Sequence, residues 1–233
     1  MTIVESAIHL AAQLVQDKNG TVRLSVMQEI GRGRLEKLMC STNASIRRGA
    51  FKYINKFARG GSTATLDTLF SGLGGKNLLD LLASTIADGF QPSLVPVALQ
   101  ITKVIVLHGS IEHKKHILGQ HWILEGLSNA LANRFTPVGL DFDPDGVEIS
   151  TAVSCLLDLA CTFGPHPAIC NPMIMASLRN IVSNAAKEDG GFLVEAQHTL
   201  QILEGGDRHS VLSTQTFWFR YLRRARMNVS AVW

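Results

Sequence analysis

The stretch Ala50-Phe51-Lys52-Tyr53-Ile54-Asn55-Lys56-Phe57-Ala58-Arg59-Gly60 decides the fold. On a helix turning about 100° per residue, Ile46, Ala50, Tyr53, Ile54 and Phe57 share one face within about 100° of arc. Arg48, Lys52, Lys56 and Arg59 fall on the opposite face. The same apolar phrase returns elsewhere. Ala7-Ile8 leads to Leu14-Val15, and Ala152-Val153 leads to Leu159-Ala160. A weaker copy runs from Ala196-Gln197 to Leu203, and a blurred one lies around Val97-Ala98. The alanines at 7, 50, 98, 152 and 196 are separated by 43, 48, 54 and 44 residues. Periods of this size mark stacked helical units, each of which needs its neighbours to bury an apolar face.

Outward from that stretch, apolar residues recur at helical spacing almost everywhere, and no convincing run alternates with period two. The breaks are short and rich in Gly, Pro or Asp, as at Asp17-Lys18-Asn19-Gly20, Gly60-Gly61, Gly74-Gly75, Asp88-Gly89, Gly164-Pro165, Gly190-Gly191 and Gly205-Gly206. They predict a rhythm of long, short and medium helices. The long ones are 3–16, 43–59, 93–108, 149–163 and 191–204. The short ones are 21–30, 62–72, 110–118, 166–170 and 206–211. The medium ones are 33–40, 76–86, 120–133, 172–185 and 213–227. Three helices therefore make one unit.

The run 50–60 resembles the third helix of an armadillo repeat. The run from Ser110 through Gly119 to Ala132 is similar to the first and second helices of that family, with Gly119 at the turn. The resemblance covers most of the chain and implies an all-α fold, a right-handed α-solenoid of armadillo-like three-helix repeats. About four repeats are expected, plus partial terminal ones; a two-helix HEAT arrangement is the alternative. One domain spans 1–227, with an acidic loop insertion at 135–148 and a tail at 228–233. In this register the chain opens on a third helix and closes on a second, so helices 3–16 and 213–227 are either caps or the ends of an excerpt from a longer array.

The armadillo resemblance further implies that the third helices line a concave groove for an extended partner. Lys52 and Lys56 occupy the places where importin-α-like repeats carry a groove Trp and Asn. The matching pairs elsewhere are His9 and Gln13, Ser154 and Asp158, and His198 and Ile202. None is a Trp–Asn pair, which excludes recognition of a basic nuclear-localisation peptide. The expected partner-binding residues are Arg48, Lys52, Asn55, Lys56 and Arg59, with His9, Gln13 and Asp158 further along the groove.

Charge sets the expected partner. Segment 32–59 holds eight cations (Arg32, Arg34, Lys37, Arg47, Arg48, Lys52, Lys56, Arg59) against one acid, Glu36, in a chain of net charge +3. That asymmetry suits an extended acidic or phosphorylated segment of another protein. A solvated helix face is the plain alternative, and nucleic acid a further one. The run Phe217-Trp218-Phe219-Arg220-Tyr221-Leu222-Arg223-Arg224 offers a second partner surface through Arg220, Arg223 and Arg224. Its aromatic residues cannot share one helix face, so they are packed on two sides or serve self-association. The acidic loop 141–148 is a second route to self-association.

Other chemistries find little support. No apolar run reaches about 18 residues, so no transmembrane helix is expected, and no membrane partner. The start Met1-Thr2-Ile3-Val4-Glu5 lacks the basic opening of a signal peptide. An intracellular protein, cytoplasmic or nuclear, is the expectation, with Cys40, Cys155, Cys161 and Cys170 reduced and mostly buried. The sequons at Asn43 and Asn228 then carry no meaning. Asp141-Phe142-Asp143-Pro144-Asp145-Gly146 begins like a calcium loop, but Ala152 stands where the bidentate Glu belongs. His108, His113, His116 and His121 lack converging ligands at zinc spacing and are expected as polar surface. No nucleophile elbow or phosphate-binding Gly loop occurs. The expectation is a non-enzymatic scaffold without cofactor, metal or catalytic residues.

Overall fold

The computed structural model describes residues 3–14, 20–30, 32–59, 63–73, 76–87, 94–132, 147–184 and 192–205. Within them the chain forms twelve α-helices and no strand. They are α1 (Ile3–Leu14), α2 (Gly20–Ile30), α3 (Arg32–Met39), α4 (Ala44–Arg59), α5 (Thr63–Leu73), α6 (Lys76–Ala87), α7 (Val95–His108), α8 (Ile111–Leu118), α9 (His121–Leu131), α10 (Val147–Phe163), α11 (Pro172–Asn184) and α12 (Leu193–Leu203). The expected helices 206–211 and 213–227, the tail 228–233, and residues 135–146 of the insertion lie outside the described residues.

Local chemistry starts and stops these helices. Asn43 Oδ1 accepts from the backbone N–H groups of Ser45 (2.9 Å) and Ile46 (3.3 Å), capping α4. Asn171 Oδ1 does the same for Ile174 at 2.9 Å, with Pro172 in the first turn of α11. At α8, Ser110 Oγ accepts from His113 N–H at 3.3 Å, and His113 Nδ1 accepts from Ser110 N–H at 3.2 Å. This is a capping box with His in place of the usual Glu or Gln. Gly164 and Gly205 follow α10 and α12 at φ 71° and 88°, left-handed angles that glycine reaches without strain.

The long helices stack into one row: α1 packs on α4, α4 on α7, α7 on α10, and α10 on α12. The medium helices α6, α9 and α11 form a second row, and α2, α5 and α8 are the short connecting helices. The array is an all-α solenoid of three-helix units. Its core runs continuously between the two rows. Phe51, Tyr53, Ile54 and Phe57 in α4, Leu78, Leu79 and Leu82 in α6, and Leu99, Ile101 and Ile105 in α7 are all buried. Because α4 lies between α1, α3, α5 and α7, its buried face is wider than the arc read from sequence and takes in Phe51 and Ala58.

Three expectations need correction. Residues 166–170 do not form a helix. Ile169 and Cys170 N–H both return to the His166 carbonyl at 3.0 Å, closing one turn with Pro165 before it and Pro167 inside it, too short to propagate. Of the four cysteines only Cys155 is buried, its thiol pushed up to about 12 by burial; Cys40 is exposed, and Cys161 and Cys170 are half-buried. His113 is not polar surface. It is buried, stacked on Phe70 at 4.1 Å, with Nε2 3.3 Å from Asp67. No helix among the described residues is long and apolar enough to cross a membrane.

Candidate binding surface

The row of long helices carries the residues singled out from sequence. In α4 the buried face fixes the opposite one, so Arg48, Lys52 and Arg59 are exposed and Lys56 is half-buried. Among the described residues, Lys52 and Lys56 have no acidic partner within ion-pair distance. Arg59 crosses to α7, donating to Gln100 Oε1 at 3.1 Å. Arg47 turns back to the Ser41 carbonyl at 2.5 Å, closing the start of α4. The eight-cation run is therefore divided. Arg34 and Lys37 are exposed on α3, while Arg48, Lys52, Lys56 and Arg59 sit on α4.

Polar contacts extend along the row. Gln100 Nε2 donates to Thr151 Oγ1 at 2.9 Å, so Arg59, Gln100 and Thr151 link α4, α7 and α10. Ser154 Oγ then donates to Glu195 Oε2 at 3.0 Å, linking α10 to α12. Gln100, Thr151 and Glu195 were not among the residues picked from sequence, yet a signal was there. Gln100 stands two residues after Ala98, as Lys52 stands two after Ala50 and Ser154 two after Ala152. Thr151 and Glu195 each stand one residue before their alanine.

The remaining candidates divide. His9 and Gln13 are exposed on α1 and hydrogen-bonded to each other at 3.1 Å. Asn55 is half-buried; its Oδ1 is shielded from solvent, without a hydrogen-bond partner among the described residues, so that oxygen faces inward. Asp158 is committed internally. Lys114 Nζ of α8 lies 2.5 Å from its Oδ2 and 3.3 Å from Thr162 Oγ1, and the two charged side chains are only 11% and 13% exposed. Burial holds the Asp158 carboxyl above its usual range even with Lys114 on it. The structure thus brings Arg48, Lys52, Lys56 and Arg59 together and sets Asp158 apart in an ion pair. Arg220, Arg223 and Arg224 lie outside the described residues. Two clefts among the described residues lie elsewhere: one of about 540 Å³ is lined by residues such as Ala83 of α6 and Trp122 of α9, and one of about 400 Å³ by Lys115, Leu118, Phe163 and His166.

No protein-family model and no curated protein matches the sequence. Solved structures do match in shape. A designed armadillo repeat protein superposes with a TM-score of 0.63 at 16% identity, covering 98% of this chain and 91% of its own. An engineered protein of known crystal structure superposes with a TM-score of 0.61 at 19% identity, covering 98% of this chain and 90% of its own. The fold is an armadillo-like helical-repeat solenoid.

Proposed function

We propose that the protein is a binding scaffold that holds an extended acidic or phosphorylated segment of another protein along the row of long helices, at Arg48, Lys52 and Lys56. One observation carries this reading. Further along the row the charged and polar groups satisfy one another, as in Arg59–Gln100–Thr151, Ser154–Glu195 and Lys114–Asp158. Lys52 and Lys56 lack an acidic partner among the described residues. An exposed ammonium beside a second one keeps its water and repels its neighbour. An incoming carboxylate or phosphate relieves both effects and steers association. Binding by such a surface requires no catalytic group.

The test is a titration with an acidic phosphoserine-containing peptide. Charge-assisted hydrogen bonds of about 1.5–3 kcal/mol each imply that Lys52→Glu with Lys56→Glu weakens it about tenfold or more. Melting temperature should not move, because both side chains lie off the buried face. Equal losses of fold and binding would sink the assignment. So would tighter binding of DNA or RNA with a steep salt dependence, which would favour a phosphate-backbone ligand instead.

A further inference from the structure

The row of medium helices holds an indole that the fold leaves in water. Trp122, in the first turn of α9, is 51% exposed. A tryptophan in a folded chain ordinarily buries most of its ring. Gly126 stands one turn further on, so the two positions share a face of the helix. Gly126 is also where α9 comes down on Ile86 of α6. The indole therefore stands on the side of α9 that looks toward α6, one turn before the helices touch.

Opposite the indole, α6 is cut away. Asp80, Ala83, Ser84 and Ala87 follow at steps of three, one and three, a single stripe of short side chains. With Gln120 and Trp122 they line the cleft of about 540 Å³. Ala83 is buried, whereas Asp80, Ser84 and Ala87 are exposed. Gln120 precedes the first residue of α9, yet its side chain makes no cap there. Its amide instead reaches across and donates to Asp80 Oδ1 at 3.3 Å, which orients that carboxylate beside the cleft. Among the described side chains no cation stands within ion-pair distance of Asp80. Glu125 differs, because His121 lies 3.5 Å from it. The described lining thus offers an aromatic face, a carboxylate and a short apolar stripe, with no Lys or Arg.

We infer that the cleft between α6 and α9 receives an arginine side chain from a basic segment of a partner protein. A guanidinium is a flat, weakly hydrated cation. It can lie on the electron-rich face of Trp122 while its N–H fork donates to the Asp80 carboxylate. Ala83 and Ala87 give its methylene stem an apolar bed. Other occupants fit less well. A nucleic-acid strand could stack a base on the indole, but its phosphates would meet the negative charge of Asp80. A leucine or phenylalanine would cover Asp80 and strip its water without replacing it. A lysine would bring the charge but not the planar stacking surface. The inference does not depend on the reading of Lys52 and Lys56. Those residues lie on the row of long helices and favour an anion, so the two ligands need not compete.

Nitrogen-edited NMR of the full chain tests this, with the indole N–H signal of Trp122 identified by its loss in Trp122→Leu. A capped Gly-Arg-Gly peptide should shift that signal saturably, with an affinity on the order of millimolar. The same peptide with citrulline, which keeps the shape and loses the charge, should bind about fivefold more weakly or worse. Asp80→Asn should weaken the arginine peptide by about fivefold, and high salt should weaken it in the unaltered protein. In Trp122→Leu the side-chain amide signal of Gln120 should no longer respond to the peptide. Neither substitution should lower the melting temperature, because both side chains already face water. An indole signal that the arginine peptide never moves overturns the inference. So does an equal response to citrulline, full affinity in Asp80→Asn, or tighter binding of a capped Gly-Leu-Gly peptide or a single-stranded oligonucleotide.

Discussion

Gly126 shows how a single missing carbon can be structural. It sits inside α9, where alanine would ordinarily favour the helix by about 1 kcal/mol. A Cβ there would lie 2.1 Å from Cγ2 of Ile86 on α6, far inside contact distance. That methyl hangs from a β-branched carbon with one strongly preferred helical rotamer, so it cannot swing aside cheaply. The clash therefore wins over propensity. Gly126→Ala should cost about 1–3 kcal/mol in urea denaturation, and most of the loss should disappear against Ile86→Ala in a double-mutant cycle. A purely additive cycle would contradict the contact. Sequence showed this glycine only as a residue in a helical run, because the requirement comes from the neighbouring unit. Buried Tyr53, Ile54 and Phe57 were legible, since their spacing alone sets their face. The exposure of Cys40 was not legible, because it falls at the end of α3, where periodicity runs out.

Between elements, the contact of α8 with α10 joins two charges in a largely dry place. Lys114 and Asp158 are too buried to count as an ordinary surface pair. Removing one partner strands the other, which typically costs about 3–5 kcal/mol. Asp158→Ala should destabilise by an amount of this order, while Lys114→Met combined with Asp158→Leu should recover most of it, as read from denaturant midpoints. A double variant as unstable as the single one would show that the pair supplies stability beyond mutual neutralisation. Helix number and order were legible from Gly and Pro breaks across most of the described chain. The turn 166–170 was misread because apolar Ala168 and Ile169 mimic helical spacing, while two prolines and a single closed turn decide the conformation. Repeat position placed Asp158 beside Lys56 in the pattern. Only coordinates could show that a residue 44 positions away claims its carboxylate.

At the scale of the whole molecule, three buried or half-buried histidines give folding a pH dependence. Burial is the largest influence on His108, His113 and His198, and holds each below the ordinary value of 6.5 despite Asp158, Asp67 and Glu195 pulling the other way. The unfolded chain therefore binds more protons than the folded one in the window below 6.5. Stability is full above that window and drains as pH falls through it. Asp158, raised by burial, acts in the opposite sense closer to the carboxylate range. The melting temperature should be lower at about pH 5.5 than at about pH 7.5, and His113→Gln, which keeps a capping-box residue, should flatten the slope. A slope unchanged by that substitution would remove His113 from the account. The solenoid was the most legible level of all, because a recurring alanine phrase reports stacking directly. Least legible was the distribution of charge: a cation-rich run in sequence became two helices, one of whose arginines closes a turn and another bridges to the next unit. The stacking also governs how damage spreads. Each long helix leans mainly on the ones beside it, so a lesion in α7 severs the described spine into halves that must each survive alone.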